Sequence, residues 1–538
     1  MTGLPFIGKI HTGIFHSTTR GGPPPRARAR NGTRPMNAPT TVRLNDADNV
    51  LVAIEPIASG TGVAEGLVTS ARIPRGHKIA SAPIEAGAPV RKFGQIIGFA
   101  KEAIAPGAWV HEHNVEVHEF ARDYTLGEVK PVEPAAAPAT FMGFRRANGQ
   151  VGTRNYIAIL SSVNCAATVA RQIALRAERS GLLDGFPNVD GIVPLTHGTG
   201  CGMAADGEGY ELLERTLWGA ACNPNVAGVL FIGLGCEVLQ IARMTARYGL
   251  KDDPRFHWMT IQDSGGTPAT IEAGLAALRE ILPRADAARR EPLPASHLIL
   301  ALQCGGSDAY SGLTANPALG EAADILVRHG GTAILSETPE IYGAEHLLVH
   351  RAASRRVADD LLARIDWWRD YLARTGGQMN NNPSPGNKAG GLTTILEKSL
   401  GAVAKGGTTP LTAVYRYAEP VTERGFVFMD TPGYDPVSVT GQVAGGANIL
   451  CFTTGRGSAF GCKPVPSIKL ATNSDLYRRM ETDMDIDCGD ILSGTTIAQK
   501  GEEIFRHLLD VASGARTKSE RLGYGDNEFV PWQVGAVM

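Results

Sequence analysis

Along this chain the spacing of apolar and polar positions changes character twice. From about residue 43, short apolar runs are broken by Gly and Pro, as in NVLVAIEPIASGTGV, HKIASAPIEAGAPVRKFGQIIGFA and IAPGAWVHEHNVEVHE. Such runs between turn residues predict a small β-rich domain over 43–127. EVKPVEPAAAPAT follows without periodicity and makes 128–142 a Pro/Ala linker. Beyond it, apolar strands alternate with segments of helical spacing. NYIAILSSVNC, DGIVPLTHGTGC, AGVLFIGLGC, FHWMTIQDSGG and SHLILALQC read as strands; ATVARQIALRAERSG, GYELLERTLWGAA and VLQIARMTARYGL read as helices. Repeated units of this kind predict a parallel sheet with helices on its faces. GTAILSETPE ends a further strand at Glu337, and VADDLLARIDWWRDYLAR is an amphipathic helix. NNNPSPGNKAGG (380–391) is rich in Asn, Pro and Gly, which predicts neither helix nor strand but an anion- or hydroxyl-binding loop. GFVFMDTPGYD, ANILCFTTGRGSAFG and PSIKLATNSD predict three more strands running into polar loops. The expected fold class is α/β: a small N-terminal β-rich domain, then two α/β domains with largely parallel sheets, at 143–380 and 381–538.

Four cysteines fall at one place in this repeat, just past a strand end. Cys165, Cys201, Cys236 and Cys304 are spaced by 36, 35 and 68 residues, the last interval spanning the strand that reaches Asp263. One strand–helix unit takes ~30 residues or more, and this edge of an open α/β sheet is where ligands bind. The competing reading is that Cys is a small hydrophobe, often buried.

Composition narrows the classes. A chain of 538 residues is expected to hold several domains. A net charge of −2 argues against nucleic acid or an anionic membrane as partner. No apolar stretch reaches the ~18–20 residues a membrane helix needs. Eight cysteines without a CxxC pair predict no disulfide framework and a reducing cytoplasm. Residues 1–42 contain no acidic residue and include RGGPPPRARARNGTRP. They read as a disordered tail, or as an over-long start with the true first residue at Met36.

Candidate chemistry gathers in a few stretches. In HEHNVEVH, His111 and His113 at i, i+2 would share one strand face. With Asn114 and Glu116 nearby they form a candidate divalent-metal pair, or simply a solvated polar face. His77 in IPRGHKIA is a third histidine of that domain. THGTGCGM sets His197 and Cys201 among Gly198, Gly200 and Gly202, which free the backbone for close approach. Imidazole titrates near neutrality, so His197 is a candidate acid/base residue; the alternative is a histidine that fixes the turn. QCGGSDAYSGLTANP packs Cys304, Gly305, Gly306, Ser307, Asp308 and Asn316 into one loop whose amides favour a carboxylate. GLGCE adds Glu237, TTGRG offers Arg456 for a fork onto a carboxylate, and Lys388 is a candidate base or counter-ion. For each basic residue alone, a surface ion pair is the competing reading. Neither GxGxxG, GxxxxGK[ST] nor GxSxG occurs.

GFRRANGQVGTRNYIAILSSVNC, THGTGCG, VLFIGLGCE, LQCGGSDAYSGLTANPALG, NPSPGNKAGGLTTILEKSLG and CFTTGRGSAFG together resemble the altronate/galactarate dehydratase family. The resemblance covers about 43–538, with an SAF-type β domain at its start. It implies a hydro-lyase that removes water from a sugar acid to leave a 2-keto-3-deoxy acid. It also implies a divalent metal, Fe(II) first and Mn(II) or Mg(II) as alternatives. An iron–sulfur cluster on the four cysteines is a further reading, although their spacing matches no cluster motif. Removing the weakly acidic C2 proton makes an enediolate, whose charge a metal and fixed donors must hold. A base takes that proton and an acid protonates the leaving 3-hydroxyl. On these grounds His77, His197 and Lys388 are the catalytic candidates. Arg154, Asn164, Gly305, Gly306, Ser307, Asp308, Asn316, Asn387 and Arg456 are expected to bind substrate. His111, His113, Cys165, Cys201, Cys236, Glu237 and Cys304 are the candidate metal ligands. HEHN at 111–114 and PEIYGAEHLL look altronate-like, whereas LQCGGSDAYSG and LLDVASGARTKSE are equally at home in the galactarate branch. The expected substrate is altronate or a similar aldonate, then galactarate. The family's sulfolactate sulfo-lyase branch is usually split into two subunits, unlike this fused chain. A non-catalytic sugar-acid binder is the reading of a different class. A homodimer in the cytoplasm is expected.

Overall fold

A computed structural model of the chain describes residues 40–249 and 253–538. Residues 1–39, and with them the expectation of a tail or a later start at Met36, lie outside the described residues.

The small domain is built from short antiparallel strands. Thr41–Val42, Val50–Ala53, Lys78–Ala80 and Trp109–Val110 form one sheet; Pro89–Lys92, Gln95–Ala100 and Val115–Glu116 form another. Phe93 (φ 61°) and Gly94 (φ 71°) turn the hairpin between 92 and 95, the conformation a two-residue loop needs to match strand twist. Asp48 accepts both of their amides. Ala53, Ile57, Ile73 and Ile79 form a small cluster of the domain's own, and the rest of its core is shared. Val90, Ile97, Val110 and Val115 pack in one buried cluster with Leu335, Leu396 and Leu400 of the C-terminal region.

The chain then runs extended over the C-terminal region, where the amide of Gly127 bonds His350 O at 2.8 Å and that of Ala135 bonds Arg328 O at 2.9 Å. The expected linker ends inside the strand Thr140–Arg145, which pairs with both Val151–Gly152 and Arg290–Pro294. Neighbouring strands of this ribbon therefore lead into and out of the middle domain. There Gly191–Leu195, Tyr156–Ser161, Val226–Gly233 and Phe256–Thr260 form a parallel sheet in that order. Ile157 and Ile159 face the helices Asn164–Arg179 and Thr267–Asp286, while Ala158 and Leu160 face Glu208–Ala221. Burial on both faces explains why the two central strands, Tyr156–Ser161 and Val226–Gly233, read as continuous apolar runs.

A seven-stranded parallel sheet forms the C-terminal domain, in the order Leu411–Tyr415, Gly425–Met429, Thr332–Leu335, Ile299–Cys304, Ile449–Thr454, Ser467–Ala471, Ile486–Asp487. Two of its central strands precede residue 380, so a division at 380/381 would cut through this sheet. The sheets change over between 260 and 299 instead. Both domains use the same strand–helix texture, and local pattern does not say which sheet a strand joins. The 380–391 stretch also departs from expectation: Pro385–Ala389 is a short helix, capped by Ser384 and opened by proline.

The helices Glu208–Ala221 and Asp435–Ala444 pack side by side and run parallel. Leu212 and Val437, near their starts, share one cluster, and a Cβ on Gly219 would lie 2.3 Å from Ala444 O near their ends. Each helix begins at the carboxyl edge of its own sheet, so both carboxyl edges open on the same side of the molecule. Among the described residues no helix is long and apolar enough to cross a membrane.

Candidate functional site

The C-terminal sheet reverses its order beside Ile299–Cys304, whose neighbours are Thr332–Leu335 and Ile449–Thr454. Loops leaving such a switch point diverge and open a crevice. Here they are 305–311 and 455–457, joined where Gly306 O accepts the amides of Gly455 and Arg456 at 3.1 and 3.0 Å. Gly305 must lack a side chain, since a Cβ would stand 2.4 Å from the Phe452 ring and 2.8 Å from Asp435 Oδ2. Arg456 is exposed, and no hydrogen bond or ion pair engages its guanidinium among the described residues. Other candidates here spend their polar atoms on the loops. Asp308 is buried and accepts from the Tyr310 and Ser311 amides, the Thr472 hydroxyl and the Asn473 amide. Asn387 donates to Ser307 O and accepts from the Ser384 amide; Asn316 donates to Gly401 O and accepts from Thr453. These three therefore shape the loops, a correction to their expected substrate contact. Gly305, Gly306, Ser307 and Arg456 remain at the switch point.

The small domain closes on the neighbouring 385–393 segment. A cavity of about 530 Å³ lies in that seam, lined by Pro74, His77, Trp109, His111, Glu112, Pro385, Lys388 and Ala389. The Trp109 indole N–H donates to His77 Nδ1 at 3.1 Å, so the His77 proton sits on Nε2, 3.4 Å from Ala389 O. The His111 ring lies 4.8 Å from that of His77, with Nδ1 3.3 Å from the Thr393 hydroxyl and Nε2 without a partner among the described residues. Burial, then the nearby Lys78 charge, lowers both imidazoles to a pKa of about 4, so both are neutral at pH 7. Lys388 Nζ pairs with Glu112 at 2.7 Å. His111 and His113 do not share a strand face, because the strand ends at Val110 and 111–114 is a turn closed by Asn114. His111 is buried in the seam, while His113 is exposed and touches Trp109, ring centroids 5.2 Å apart.

Under this seam lies a closed charge cluster. Lys78 and Lys92 each place Nζ 2.8 Å from one oxygen of Glu397, and all three side chains are 0–1 % exposed. A second cluster stands at the end of the Ile299–Cys304 strand. Cys304 Sγ is 3.4 Å from Glu337 and 3.3 Å from Glu340, and the ligand atoms of the three lie within 4.8 Å of one another. By distance this group suits a metal. Its charge is already balanced, however: Lys405 Nζ reaches Cys304 Sγ at 2.8 Å and Glu337 at 2.9 Å, and Lys398 reaches Glu340 at 2.8 Å. Burial raises the Cys304 thiol well above its ordinary value, so it is neutral beside two ammonium–carboxylate pairs.

The remaining candidates belong elsewhere. Arg154 is 1 % exposed and forks onto Glu520 at 2.6 and 2.9 Å while bonding three carbonyls. It is a structural arginine, not a substrate contact. Glu237 accepts from Ser162 Oγ and from the amides of Leu234 and Gly235, which occupies the oxygens expected to ligate. His197 sits in the middle domain with Nε2 2.9 Å from Ser161 O and Nδ1 accepting the Thr199 amide at 3.3 Å. Burial lowers it to about 4. With both nitrogens engaged and no contact to the seam, it is placed as a residue that fixes the turn, not as an acid/base group. His197→Asn is expected to lower the melting temperature and leave kcat nearly intact; an acid/base role would instead cost ~10²-fold in kcat. Between pH 6.5 and 4 the unfolded chain binds protons that folded His77, His111 and His197 refuse. Stability is thus present above pH 6.5 and lost as pH falls toward 4. Calorimetry should show that slope, shallower in the His197→Asn variant.

Three family models match this chain in succession. "Altronate/galactarate dehydratase SAF domain" matches 39–118, "D-galactarate dehydratase/Altronate hydrolase, second domain" matches 143–286, and "D-galactarate/Altronate dehydratase, C-terminal" matches 295–537. Galactarate dehydratase (L-threo-forming) of Escherichia coli (strain K12) is 39% identical over 90% of this chain and 94% of that protein. Altronate dehydratase of Bacillus subtilis (strain 168) is 36% identical over 89% and 96%, and that of Escherichia coli (strain K12) 35% over 89% and 96%. The chain belongs to the altronate/galactarate dehydratase family. As a member, it is a hydro-lyase.

The second and C-terminal family domains change over where the sheets do. Reading the sequence alone misses this dehydratase's buried charges: Lys78, Lys92, Glu397, Glu337, Glu340, Lys398 and Lys405. A signal for some of them is present. GGLTTILEKSLGAVAKGG is apolar or small nearly throughout, so the charges of Glu397, Lys398 and Lys405 have no polar face to occupy and need buried partners.

Proposed function

We propose that this hydro-lyase dehydrates an altronate-type aldonate to its 2-keto-3-deoxy acid. The observation that carries the reading is the seam cavity, where two neutral histidines and an ammonium come from two domains onto one space. In this reading His111 Nε2, neutral and without a partner among the described residues, accepts the C2 proton. The Lys388 ammonium gives a proton to the departing 3-hydroxyl, which leaves as water. The His77 Nε2–H hydrogen-bonds a substrate oxygen, and Arg456 forks onto the carboxylate. The resulting enol ketonises. Galactarate is the second reading, favoured by the 39% identity to a galactarate dehydratase.

A panel of aldonates and aldarates, with Fe(II) and reductant present, tests both. The 2-keto-3-deoxy product, trapped with semicarbazide, should form fastest from altronate. Fastest formation from galactarate supports the second reading, and no product from any sugar acid overturns both.

Turnover is expected to need iron. Exhaustive chelation should abolish activity and Fe(II) restore it; full turnover by protein that elemental analysis finds metal-free would refute this. The seam itself makes a poor metal site. The His77 Nδ1 acceptor leaves its Nε2 protonated, Glu112 is paired, and Cys304, Glu337 and Glu340 are countered by two lysines. No step is therefore routed through a metal in the seam.

A further inference from the structure

We infer that a cavity at the amino edge of the middle-domain sheet binds a small organic phosphate. The cavity measures about 570 Å³, within the ~300–1,000 Å³ of small-molecule sites. It lies where the strands Val226–Gly233 and Phe256–Thr260 begin, at Ala227 and Arg255, on the edge opposite their carboxyl ends. Arg145 and Arg146, where the ribbon strand Thr140–Arg145 turns, line another side.

Four guanidiniums line this space, with one carboxylate, that of Asp253. Arg255 takes that carboxylate at 3.1 and 2.7 Å, and Arg145 pairs with Glu291 at 2.6 Å. Arg146 and Arg284 form no ion pair among the described residues. Arg146 is bound to neutral oxygens only: Pro224 O at 2.8 Å, Asn155 Oδ1 at 2.7 Å and Arg154 O at 3.0 Å. Those bonds fix its plane and use three of the five N–H groups of a guanidinium. Arg284 donates to Pro254 O at 3.1 Å. Burial, then the Arg255 charge, lowers the Arg146 pKa to about 10 against the opposing pull of Asp190. Positive charge is in surplus here.

The helix Thr267–Asp286 ends at this cavity, and bare carbonyls at a helix end would repel an anion. They are not bare. Ala285 O accepts from Asn155 Nδ2 at 2.9 Å, and Asp286 O from Asn188 Nδ2 at 3.1 Å. Asn155 thus turns its nitrogen to the helix end and its oxygen to Arg146. Two guanidiniums without carboxylates match the charge of about two on a phosphate monoester, and their forks fit its oxygens. Ala227, Ile281, Ala285 and Ala288 add an apolar wall, which suits a ligand with a carbon body over a bare ion. The site shares no residue with the seam, so it stands apart from the substrate and mechanism proposed above.

Calorimetric titration of the full-length protein tests this, with glycerol 3-phosphate, inorganic phosphate and succinate as probes at low ionic strength. Glycerol 3-phosphate should bind most tightly, and added salt should weaken it. Arg146→Gln and Arg284→Gln should each weaken it by ~10-fold or more. Arg284 is exposed, so its variant should keep the fold. His111→Gln, in the seam, and Arg356→Gln, on the outer face of the helix Arg355–Thr375, should bind like the wild type. Succinate binding without either phosphate overturns the ligand class, and inorganic phosphate binding as tightly as glycerol 3-phosphate overturns the organic body. Phosphate binding that survives both Arg146→Gln and Arg284→Gln overturns the site, as does protein that binds none of the probes.

Discussion

Glu397→Gln is expected to cost about 3–5 kcal/mol of stability, the range for removing one partner from a buried ion pair. Two ammonium groups converge on this carboxylate, and Lys78 also donates to Gly391 O at 2.8 Å. Despite the desolvation that opposes it, the pair of lysines holds Glu397 down to about 2. The amide of glutamine keeps the shape but leaves two positive charges in an apolar seam. Lys78 comes from a strand of the small domain and Lys92 from its hairpin, while Glu397 lies in the helix Ile395–Val403. The variant should therefore loosen the domain seam before it melts the α/β core. Limited proteolysis should release a fragment at the 117–139 stretch, and the melting curve should split or shift down. An unchanged melting temperature and protease pattern would show that the triad does not hold the seam.

His111→Gln is expected to lower kcat by ~10²-fold or more at unchanged melting temperature. Glutamine can keep the bond to Thr393 but cannot accept a proton at pH 7. Because folded His111 is neutral down to about pH 4, the wild-type rate should stay flat on the acid side until that point. The variant should lose this limb of the profile. A drop confined to KM would make His111 a binding group instead.

Much of the fold is legible in the chain. Strands such as Tyr156–Ser161 and Ile449–Thr454 are buried along their whole length, so each appears as an apolar run ended by a polar loop. What local pattern omits is long-range pairing. It does not separate Cys304 from the three other rim cysteines, since all four follow an apolar run in the sequence, and only the fold buries Cys304 and leaves the others exposed. It makes His111 and His113 look alike, although the strand stops before either. The seam was half legible: His77, His111 and Lys388 stand out by type, but Glu112, Trp109 and Thr393 acquire meaning only from the fold. Arg154 and His197, chosen for their chemistry, turn out to hold carbonyls.

The Lys78–Lys92–Glu397 triad also bears on how the protein comes off the ribosome. Lys92 precedes its partner by 305 residues. At ~5–20 residues per second of synthesis, that separation is about 15–60 s. During that time the nascent small domain carries two lysines with no counter-charge and an inner face with nothing to pack on. Only its own small cluster of Ala53, Ile57, Ile73 and Ile79 can form early. Its closure is the late step of biogenesis, and a chain released short of residue 397 should expose this face to chaperones and proteases, however well its middle domain has folded.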